Sequence, residues 1–274
     1  MAQADNAKVT AFRSMHVPGQ PFVIPNPWDL GSVRILEAAG FGALATTSAG
    51  HAFSFGRREG RLEQHDVLDH CRWIAGATSL PVSADLEKGF GDSPESAAET
   101  IRLATETGLA GASIEDHTGR RDDPIYDRGL ATERIAAAVE AARAVPGGFV
   151  LTARAENFLW GRKDLDDTIA RLQAFEAAGA DVLYAPGLRD LDTIRSVCSA
   201  LTRPVNVIMG LPGVTLTVAD LAEAGVARIS VGSGLARLAY GHVVRAAREM
   251  VENGSFGFGA DAMGFAELEK QFPE

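Results

Sequence analysis

The sequence predicts an α/β protein built as a (β/α)8 barrel, and three observations support this fold class. Four similar phrases recur along the chain: E-A-A-G-F-G-A-L at 37–44, E-T-G-L-A-G-A-S at 106–113, E-A-A-G-A-D-V-L at 176–183 and A-E-A-G-V-A-R-I at 222–229. Each phrase combines a helix end, a glycine cap and a short apolar strand. Eight strand candidates alternate with amphipathic helical patterns, and 274 residues is a usual length for one barrel. An open doubly wound sheet usually has fewer strands and a glycine-rich first turn.

The strands are predicted at short apolar runs, most of which lead into polar residues. In chain order the runs are 22–25, 43–47, 82–85, 112–115, 150–154, 182–185, 205–208 and 228–231. Helices are predicted where apolar residues recur at 3.6-residue spacing, as at 95–107, 165–178 and 234–253. Asp92-Ser93-Pro94 is typical of a helix start, because a capping side chain precedes a first-turn proline. We therefore expect a single barrel domain over residues 1–274, ending in a Gly/Phe-rich arm from about residue 254.

Composition narrows the classes of partner. Hydrophobic residues make up 46% of the chain and charged residues 23%, which is the balance of an ordinary globular protein. A net charge of −10 without a basic stripe argues against a nucleic-acid partner. The first residues have no apolar segment of a signal peptide, and no run reaches membrane length. The expectation is a cytoplasmic protein without a membrane partner.

Polar residues cluster at the predicted strand ends, where barrels of this class carry their chemistry. Asp85 and Glu87 are expected to share one face of the third strand and to repel each other unless a proton or a cation intervenes. Carboxylates without histidine or cysteine partners suit Mg2+ or Mn2+, with Glu115 as a further ligand, directly or through water. The alternative is that the same acids form structural ion pairs with Lys88 or Arg154.

Three motifs resemble those of the isocitrate lyase/phosphoenolpyruvate mutase superfamily. They are D-L-E-K-G-F-G at 85–91, S-I-E-D at 113–116 and T-A-R-A-E-N at 152–157, and the resemblance runs from about residue 12 to about residue 240. It implies a Mg2+-dependent barrel that acts on small 2-oxo or 2-hydroxy acids through a pyruvate-type enolate. It also implies dimers that exchange their C-terminal helices and pair into tetramers, which would make the Gly/Phe-rich arm an oligomer contact.

The resemblance also implies roles for individual residues. Asp85, Glu87 and Glu115 match acids of the metal site, and Arg154 matches the arginine that contacts the substrate oxygen where charge develops. Glu59, in S-F-G-R-R-E-G, stands where relatives have an aspartate implicated in catalysis. Thr47, Ser48 and Ala49 match the second-strand loop whose backbone amides hold the substrate carboxylate. Independently of the resemblance, Asn206 is a candidate for substrate binding because it is a polar residue predicted at the end of the seventh strand.

The match fails in one loop that matters for chemistry. The superfamily's C–C lyases carry K-K-C-G-H after the fourth strand, whereas this chain has I-E-D-H-T-G-R-R-D-D-P-I-Y-D at 114–127. His117 is the best acid/base candidate in that segment, which is either a lid or a solvated loop with locally paired charges. His51 is either close to the carboxylate site or on the surface, and His16 and His70 are expected on helices or the surface.

The sequence favours a lyase that cleaves a C–C bond of, or decarboxylates, a small dicarboxylic acid of the oxaloacetate type. Three alternatives stay open at this point. One is C–P chemistry of the phosphonopyruvate hydrolase or mutase kind, although the gating lysines and asparagine of those enzymes are not evident. Another is a barrel that only binds a 2-oxo acid, and the third is a sugar-phosphate-binding barrel with S-V-G-S-G at 230–234 as the phosphate loop.

Overall fold

A computed structural model describes residues 6–272 and confirms the (β/α)8, or TIM, barrel. Eight parallel strands form one sheet in the order β1-β8-β7-β6-β5-β4-β3-β2. The strands are β1 Phe22–Ile24, β2 Leu44–Ala45, β3 Val82–Asp85, β4 Gly111–Glu115, β5 Val150–Arg154, β6 Val182–Tyr184, β7 Val205–Ile208 and β8 Arg228–Ser230. Each lies within one residue of its predicted start.

The sheet closes between its first and second strands through one backbone contact, in which the Ala45 amide donates to the Pro25 carbonyl over 3.1 Å. Strand β2 is shorter than predicted, because Thr46 and Thr47 leave the strand to begin a helix. The register brings Glu115 of β4 beside Arg154 of β5. Inward-facing residues of neighbouring strands therefore form layers across the barrel, as in other barrels of this type.

The helices follow the strands and pack around the barrel. They are α1 Asn6–Ser14, α2 Leu30–Ala38, α3 Ser48–Ser54, α4 Gln64–Gly76, α5 Pro94–Ala104, α6 Arg128–Arg143, α7 Leu165–Ala177, α8 Leu191–Ser199, α9 Val218–Glu223, α10 Gly234–Asn253 and α11 Phe265–Glu269. The predicted start of α5 is confirmed, because Ser93 caps the helix and Pro94 occupies its first turn. A 3-10 turn, Thr105–Thr107, completes the predicted segment 95–107.

The core has two parts. The larger lies between the strands and the surrounding helices, where Ile101, Leu151, Phe175 and similar side chains are fully buried. The smaller closes the bottom of the barrel, where Val9 and Phe12 of α1 pack against Ile24 and Val182. Helix α1 thus covers that end with apolar side chains, and the two cavities lined by strand-end residues lie at the other end.

The last long helix and the tail behave differently from the barrel. Ala236 is the only buried residue that α10 contributes, although the helix is 20 residues long. Large apolar side chains are exposed along α10 and beyond it, including Val243, Val251, Phe256 and Phe265. The tail is fixed to α10 by Glu249, which accepts hydrogen bonds from Ser255 and from the amides of Gly257 and Phe258. No helix within residues 6–272 is long and apolar enough to cross a membrane.

Candidate active site

The turn after β3 is the most distorted segment at the carboxyl rim. Strand β3 ends at Asp85, so the expectation that Glu87 shares a strand face with it is wrong. Glu87 and Phe90 adopt left-handed φ angles of 50° and 55° and are the two non-glycine residues in the described chain that do so. Such conformations cost about 1–3 kcal/mol each and concentrate at functional sites. The turn keeps the acids adjacent, because the Glu87 amide donates to Asp85 Oδ1 over 3.4 Å.

Arg154 is the centre of the site. Its Nη1 lies 3.0 Å from Asp85 Oδ1 and 2.8 Å from Glu115 Oε1, while its Nε donates to Glu156 Oε1 over 2.8 Å. The guanidinium also lies over the ring of Tyr184, 5.0 Å from its centroid. Three carboxylates thus fix Nε and Nη1, whereas Nη2 has no hydrogen-bond partner within residues 6–272. This leaves donor capacity on Arg154 for a ligand.

Ser48 connects two of the predicted acids. Its hydroxyl lies 2.8 Å from both Asp85 Oδ2 and Glu59 Oε1, and its backbone amide donates to Asp85 Oδ2 over 3.1 Å. One hydroxyl proton cannot serve two ionised carboxylates at once. A proton on Glu59 satisfies the arrangement, and the pKa of Glu59 is raised by partial burial of its carboxyl group and by the charge of Asp85.

The rim acids repel one another. Burial and the charges of Asp85 and Glu59 raise the pKa of Glu87 to about 7. Burial also raises the pKa of Glu156 to about 7, against the attraction of Arg154. The pKa of Glu115 is raised well above its ordinary value, first by burial and then by neighbouring carboxylates, although Arg154 opposes the shift. The rim therefore holds more negative charge than its arginine compensates.

Two cavities open at this rim. The inner cavity, about 300 Å3, extends into the barrel and is lined by Thr47, Ala49, Asp85 and Asn206. The outer cavity, about 400 Å3, is lined by other predicted site residues, namely Glu87, Glu115 and His117. Arg154 and Glu59 line both cavities, so the predicted residues meet at their boundary.

The donor set fits a hard divalent cation chemically, because carboxylate oxygens with uncompensated negative charge are what Mg2+ prefers. No group of three His, Cys, Asp or Glu side chains in residues 6–272 is placed to hold a metal ion, however. Asp85 already accepts hydrogen bonds on both oxygens, and Glu115 is paired with Arg154. These residues suit a cation held by one or two carboxylates and water, with Asp85 and Glu87 as the acids that could bind it.

The predicted carboxylate loop is the beginning of helix α3. Thr47 is its N-cap and accepts from the Gly50 amide over 3.3 Å. The Ser48 amide is engaged by Asp85, whereas the Ala49 amide has no partner among residues 6–272. Glycine is needed at position 50, because a Cβ there would lie 2.6 Å from the Thr47 methyl group and 2.9 Å from Trp28 Cβ. This close packing fixes the loop against the first strand's end.

His117 lies in the outer cavity and stacks on Trp160, with ring centroids 4.1 Å apart. Its Nε2 is buried without a hydrogen-bond partner in the described chain. Burial and the charges of Lys88 and Arg154 lower the pKa of His117 to about 4, so the imidazole is neutral at pH 7. In that state it can accept a proton but has none to spare as an acid.

The segment that follows His117 is internally bonded. The Thr118 amide donates to the Pro124 carbonyl over 2.8 Å, and Arg120 pairs with Asp92 and Asp123 at 3.4 Å each. Of the R-R-D-D charges, Arg120 and Asp123 pair with each other, as one of the two interpretations expected, whereas Arg121 and Asp122 form no ion pair within residues 6–272. Arg121 lines the outer cavity.

One histidine is not where the sequence predicts it. His16 is 8% exposed and lies beyond the end of α1, so the expectation of a helical or surface position is wrong for it. His70 lies on helix α4, as expected, and is buried there. The rings of His70 and His51 stack with their centroids 3.7 Å apart, and both ring nitrogens of His51 are buried without a hydrogen-bond partner among residues 6–272. The surface alternative for His51 is wrong, because this residue of α3 is only 1% exposed.

Sequence reasoning passed over Glu156 and Arg228 as functional residues. Glu156 is 1% exposed and holds Arg154, and its position two residues after Arg154 at a strand end was a usable signal. Arg228 begins β8 and lines the inner cavity. An arginine at the start of an apolar strand is easily read as a surface residue, and only the register reveals that it faces inward.

These features occur together in one known family. The family model for phosphoenolpyruvate phosphomutase matches residues 12–251, which is most of the chain. The chain belongs to this family. It is therefore a member of the isocitrate lyase/PEP mutase superfamily, whose enzymes are lyases and mutases.

The family includes characterised lyases at moderate similarity. The chain is 30% identical to 2-methylisocitrate lyase of Escherichia coli over 203 residues, covering 71% of this chain and 67% of that protein. A crystal structure from Burkholderia cenocepacia J2315, classed provisionally as a lyase/mutase, is 55% identical with a TM-score of 0.93, covering 97% of this chain and 95% of that one. 2,3-Dimethylmalate lyase is 26% identical with a TM-score of 0.82, covering 99% and 95%.

Proposed function

We propose that the chain is a cytoplasmic, Mg2+-dependent lyase that cleaves a C–C bond of, or decarboxylates, a small 2-oxo or 2-hydroxy dicarboxylic acid through a pyruvate-type enolate. The observation that carries the proposal is Arg154, held by Asp85, Glu115 and Glu156 at the boundary of two cavities with Nη2 free. A fixed cation beside a developing oxyanion stabilises it without reorganisation. The lyases among the relatives support the same class of reaction.

The chain's own residues divide the work. The amides of Thr47 and Ala49 would hold the substrate's first carboxylate, beside the Ser48 amide that Asp85 already engages, and the Nη2 donors of Arg154 would face the 2-oxygen. A divalent cation bound at Asp85 and Glu87 would polarise the 2-oxo group. Trp160 and Leu159 line the outer cavity and would shield a bound substrate from water on that side.

The bond changes balance with one proton from the protein. In decarboxylation of an oxaloacetate-type substrate, the C3–C4 bond breaks, carbon dioxide leaves and the electron pair remains as the enolate. Glu59, whose pKa is raised by burial and by the charge of Asp85 and whose carboxyl shares the Ser48 hydroxyl with Asp85, would then protonate C3 to give the 2-oxo acid product. Neutral His117 in the outer cavity is the alternative group, acting as a base on a 2-hydroxy acid substrate.

A second candidate is C–P chemistry on a phosphonopyruvate-type substrate. Four cationic side chains line the mouth of the outer cavity, and they could hold a phosphonate: Arg58, Arg61, Lys88 and Arg121. Lys88 is already paired with Asp92 at 2.5 Å, which reduces the charge available. This observation ranks the C–P reading second.

The test is turnover measured by proton and phosphorus NMR. Oxaloacetate, 2-methylisocitrate, isocitrate, phosphonopyruvate and phosphoenolpyruvate are each incubated with the protein in Mg2+ or in EDTA, with no-protein controls because oxaloacetate decays unaided. We expect Mg2+-dependent loss of one dicarboxylate. Asp85→Ala should lower that turnover about 1,000-fold, by removing an oxygen ligand and a contact of Arg154.

Asp192→Ala is the matched control, because Asp192 is a surface aspartate whose side chain is 93% exposed. Phosphorus-NMR evidence of inorganic phosphate from phosphonopyruvate would favour the C–P candidate instead. Mg2+-dependent binding without any turnover would indicate a barrel that only binds its 2-oxo acid, and would contradict the proposed reaction.

We also propose that α10 and the arm from residue 254 form contacts between subunits, in dimers that exchange C-terminal helices and pair into tetramers. The exposed Val243, Val251, Phe256 and Phe265 support an apolar interface there. Analytical ultracentrifugation of the full chain tests this, and a monomer at micromolar concentration would contradict it.

A further inference from the structure

The floor of the inner cavity carries a second buried arginine, Arg228 of β8, which is only 5% exposed. Its Nε donates to Asn206 Oδ1 over 2.9 Å, and its Nη2 donates to Thr152 Oγ1 over 3.0 Å. Its Nη1 lies 3.2 Å from His16 Nε2. These contacts fix the guanidinium plane across the bottom of the cavity.

All three acceptors of Arg228 are neutral. His16 Nδ1 lies 2.8 Å from the Phe12 carbonyl and must donate to it, so Nε2 is the acceptor of an uncharged ring. Burial and the nearby Arg228 lower the pKa of His16 to about 3, which agrees with that state. No carboxylate within residues 6–272 forms an ion pair with Arg228.

It is unusual for a barrel interior to contain a guanidinium group that forms no ion pair. Burial of an unpaired charge is costly, and buried charges in proteins are ordinarily paired. The other cavity arginine, Arg154, meets three carboxylates, and the buried Arg171 meets Asp116 and Asp167. Arg134 is also buried without a carboxylate partner in the described chain, but it donates to three backbone carbonyls and lines neither cavity, whereas Arg228 lines the inner one. Arg228 has five N–H donors, of which neutral groups take three. An anion in the cavity above Arg228 can reach its remaining N–H donors.

The spacing of the two cavity arginines defines the size of that anion. Thr152, which Arg228 contacts, precedes Arg154 by two residues on the same inward face of β5. Two residues of strand separate these levels by about 7 Å. That distance suits a molecule whose 2-oxo or 2-hydroxy end lies beside Arg154 while a second anionic group lies on Arg228.

We propose that Arg228 binds the second carboxylate of a small dicarboxylate substrate, at the floor of the inner cavity. The inference rests on the proposed function and adds to it that the substrate is a dianion of about four carbons. Asn206 and Thr152 then act as positioning residues, because they orient the guanidinium rather than contact the ligand.

The experiment compares two stable ligands by calorimetry in Mg2+: malate, and 2-hydroxybutyrate, which has a methyl group in place of the second carboxylate. The wild-type chain should bind malate at least about tenfold more tightly. Arg228→Gln should remove that preference while changing the affinity for 2-hydroxybutyrate by no more than about twofold. Arg228→Lys should retain part of the preference for malate, because lysine keeps the positive charge but lacks the planar guanidinium group that binds a carboxylate through two hydrogen bonds.

Two further variants keep the result interpretable. Asn206→Asp places a carboxylate 2.9 Å from Arg228 Nε at unchanged size, so it should abolish the malate preference in a folded protein even where Arg228→Gln fails to fold. Arg195→Gln makes the same substitution at a surface arginine and should change neither affinity. Thermal unfolding of each variant verifies that it is folded.

The outcomes separate the subsite from the proposed function. Equal affinities of the wild-type chain for the two ligands would overturn the subsite, as would equal losses of both in Arg228→Gln, which indicate a structural role. Neither result would affect the Mg2+-dependent binding of the 2-hydroxy acid end. Absence of Mg2+-dependent binding of either ligand would overturn the proposed function and the subsite together.

Discussion

The two arginines of the barrel interior differ in their surroundings more than in their burial. Arg154 at the rim contacts three carboxylates, and their attraction outweighs burial to raise its pKa well above the ordinary value. Arg228 at the floor contacts neutral acceptors alone, and burial lowers its pKa to about 10. Both remain cationic at pH 7, but only Arg154 is neutralised by the protein.

The difference means that charge is segregated along the barrel axis. Negative charge collects at the rim, where a cation would be attracted, and positive charge lies at the floor, where an anion would be attracted. A ligand that brings an anionic group to the floor while its polar end meets a cation at the rim would satisfy both. The comparison teaches that residue type and burial do not define a site without the charge of the partners.

The largest effect should come from removing the rim arginine. Arg154→Met leaves Asp85, Glu115 and Glu156 without their cation, so we expect loss of turnover and about 3–5 kcal/mol lower free energy of unfolding at pH 7. Urea unfolding measures the change. Arg102→Met, at an exposed arginine paired with Glu99 and Glu106, should lower the free energy of unfolding far less, because solvent screens a surface ion pair. Equal losses of stability in the two variants would contradict the conclusion that buried Arg154 stabilises the fold more than an exposed arginine does.

The rim should lose stability as the pH rises toward neutral. The pKa of Glu156 is raised from 4.5 to about 7 in the folded protein, so the folded state binds the proton more tightly than the unfolded state does. The stabilising contribution of the Glu156 carboxyl group is fully present below about pH 4.5 and is lost as the pH rises through about 7. Glu156→Gln, which keeps an oxygen for Arg154, should therefore gain on the wild type over that window, by up to about 1.4 kcal/mol per pH unit.

Thermal unfolding in EDTA at several pH values measures this difference. Glu267→Gln, on the exposed helix α11, serves as the control for the substitution itself and should run parallel to the wild type. A Glu156→Gln curve that also runs parallel to the wild type would show that the rim acids do not repel one another in solution.

The floor of the inner cavity should change stability with pH in the opposite direction. The pKa of His16 is lowered from 6.5 to about 3, so the unfolded state binds its proton first. Its contribution to stability is complete above about 6.5 and is lost as the pH falls through that value toward 3. His16→Gln keeps an acceptor for Arg228 without a titrating group and should flatten this acid limb. His65→Gln, at an exposed histidine, is the control and should leave the limb unchanged.

Most of the fold could be predicted from the sequence, because each β/α unit carries local signals. These signals are glycine caps, short apolar strands and a helix start at Ser93-Pro94. They predict the first residues of the elements to within a residue or two. Strand β2 and helix α3 were less predictable, since T-T-S-A-G at 46–50 reads as a loop until Thr47 caps the helix. The exposed face of α10 also has no local explanation, because its apolar residues would pack normally in a helix that faced the barrel.

The rim was predictable for the same local reason: its acids and Arg154 stand directly at strand ends, and topology brings all strand ends to one edge. Sequence by itself thus determined the barrel, the family and the acidic rim with its arginine. Only the tertiary structure decided how the charges pair, that Glu87 leaves the strand in a left-handed turn, and that Arg228 and His16 meet under the cavity. Those contacts join residues up to 212 positions apart, and local sequence does not encode which distant partner a charge meets.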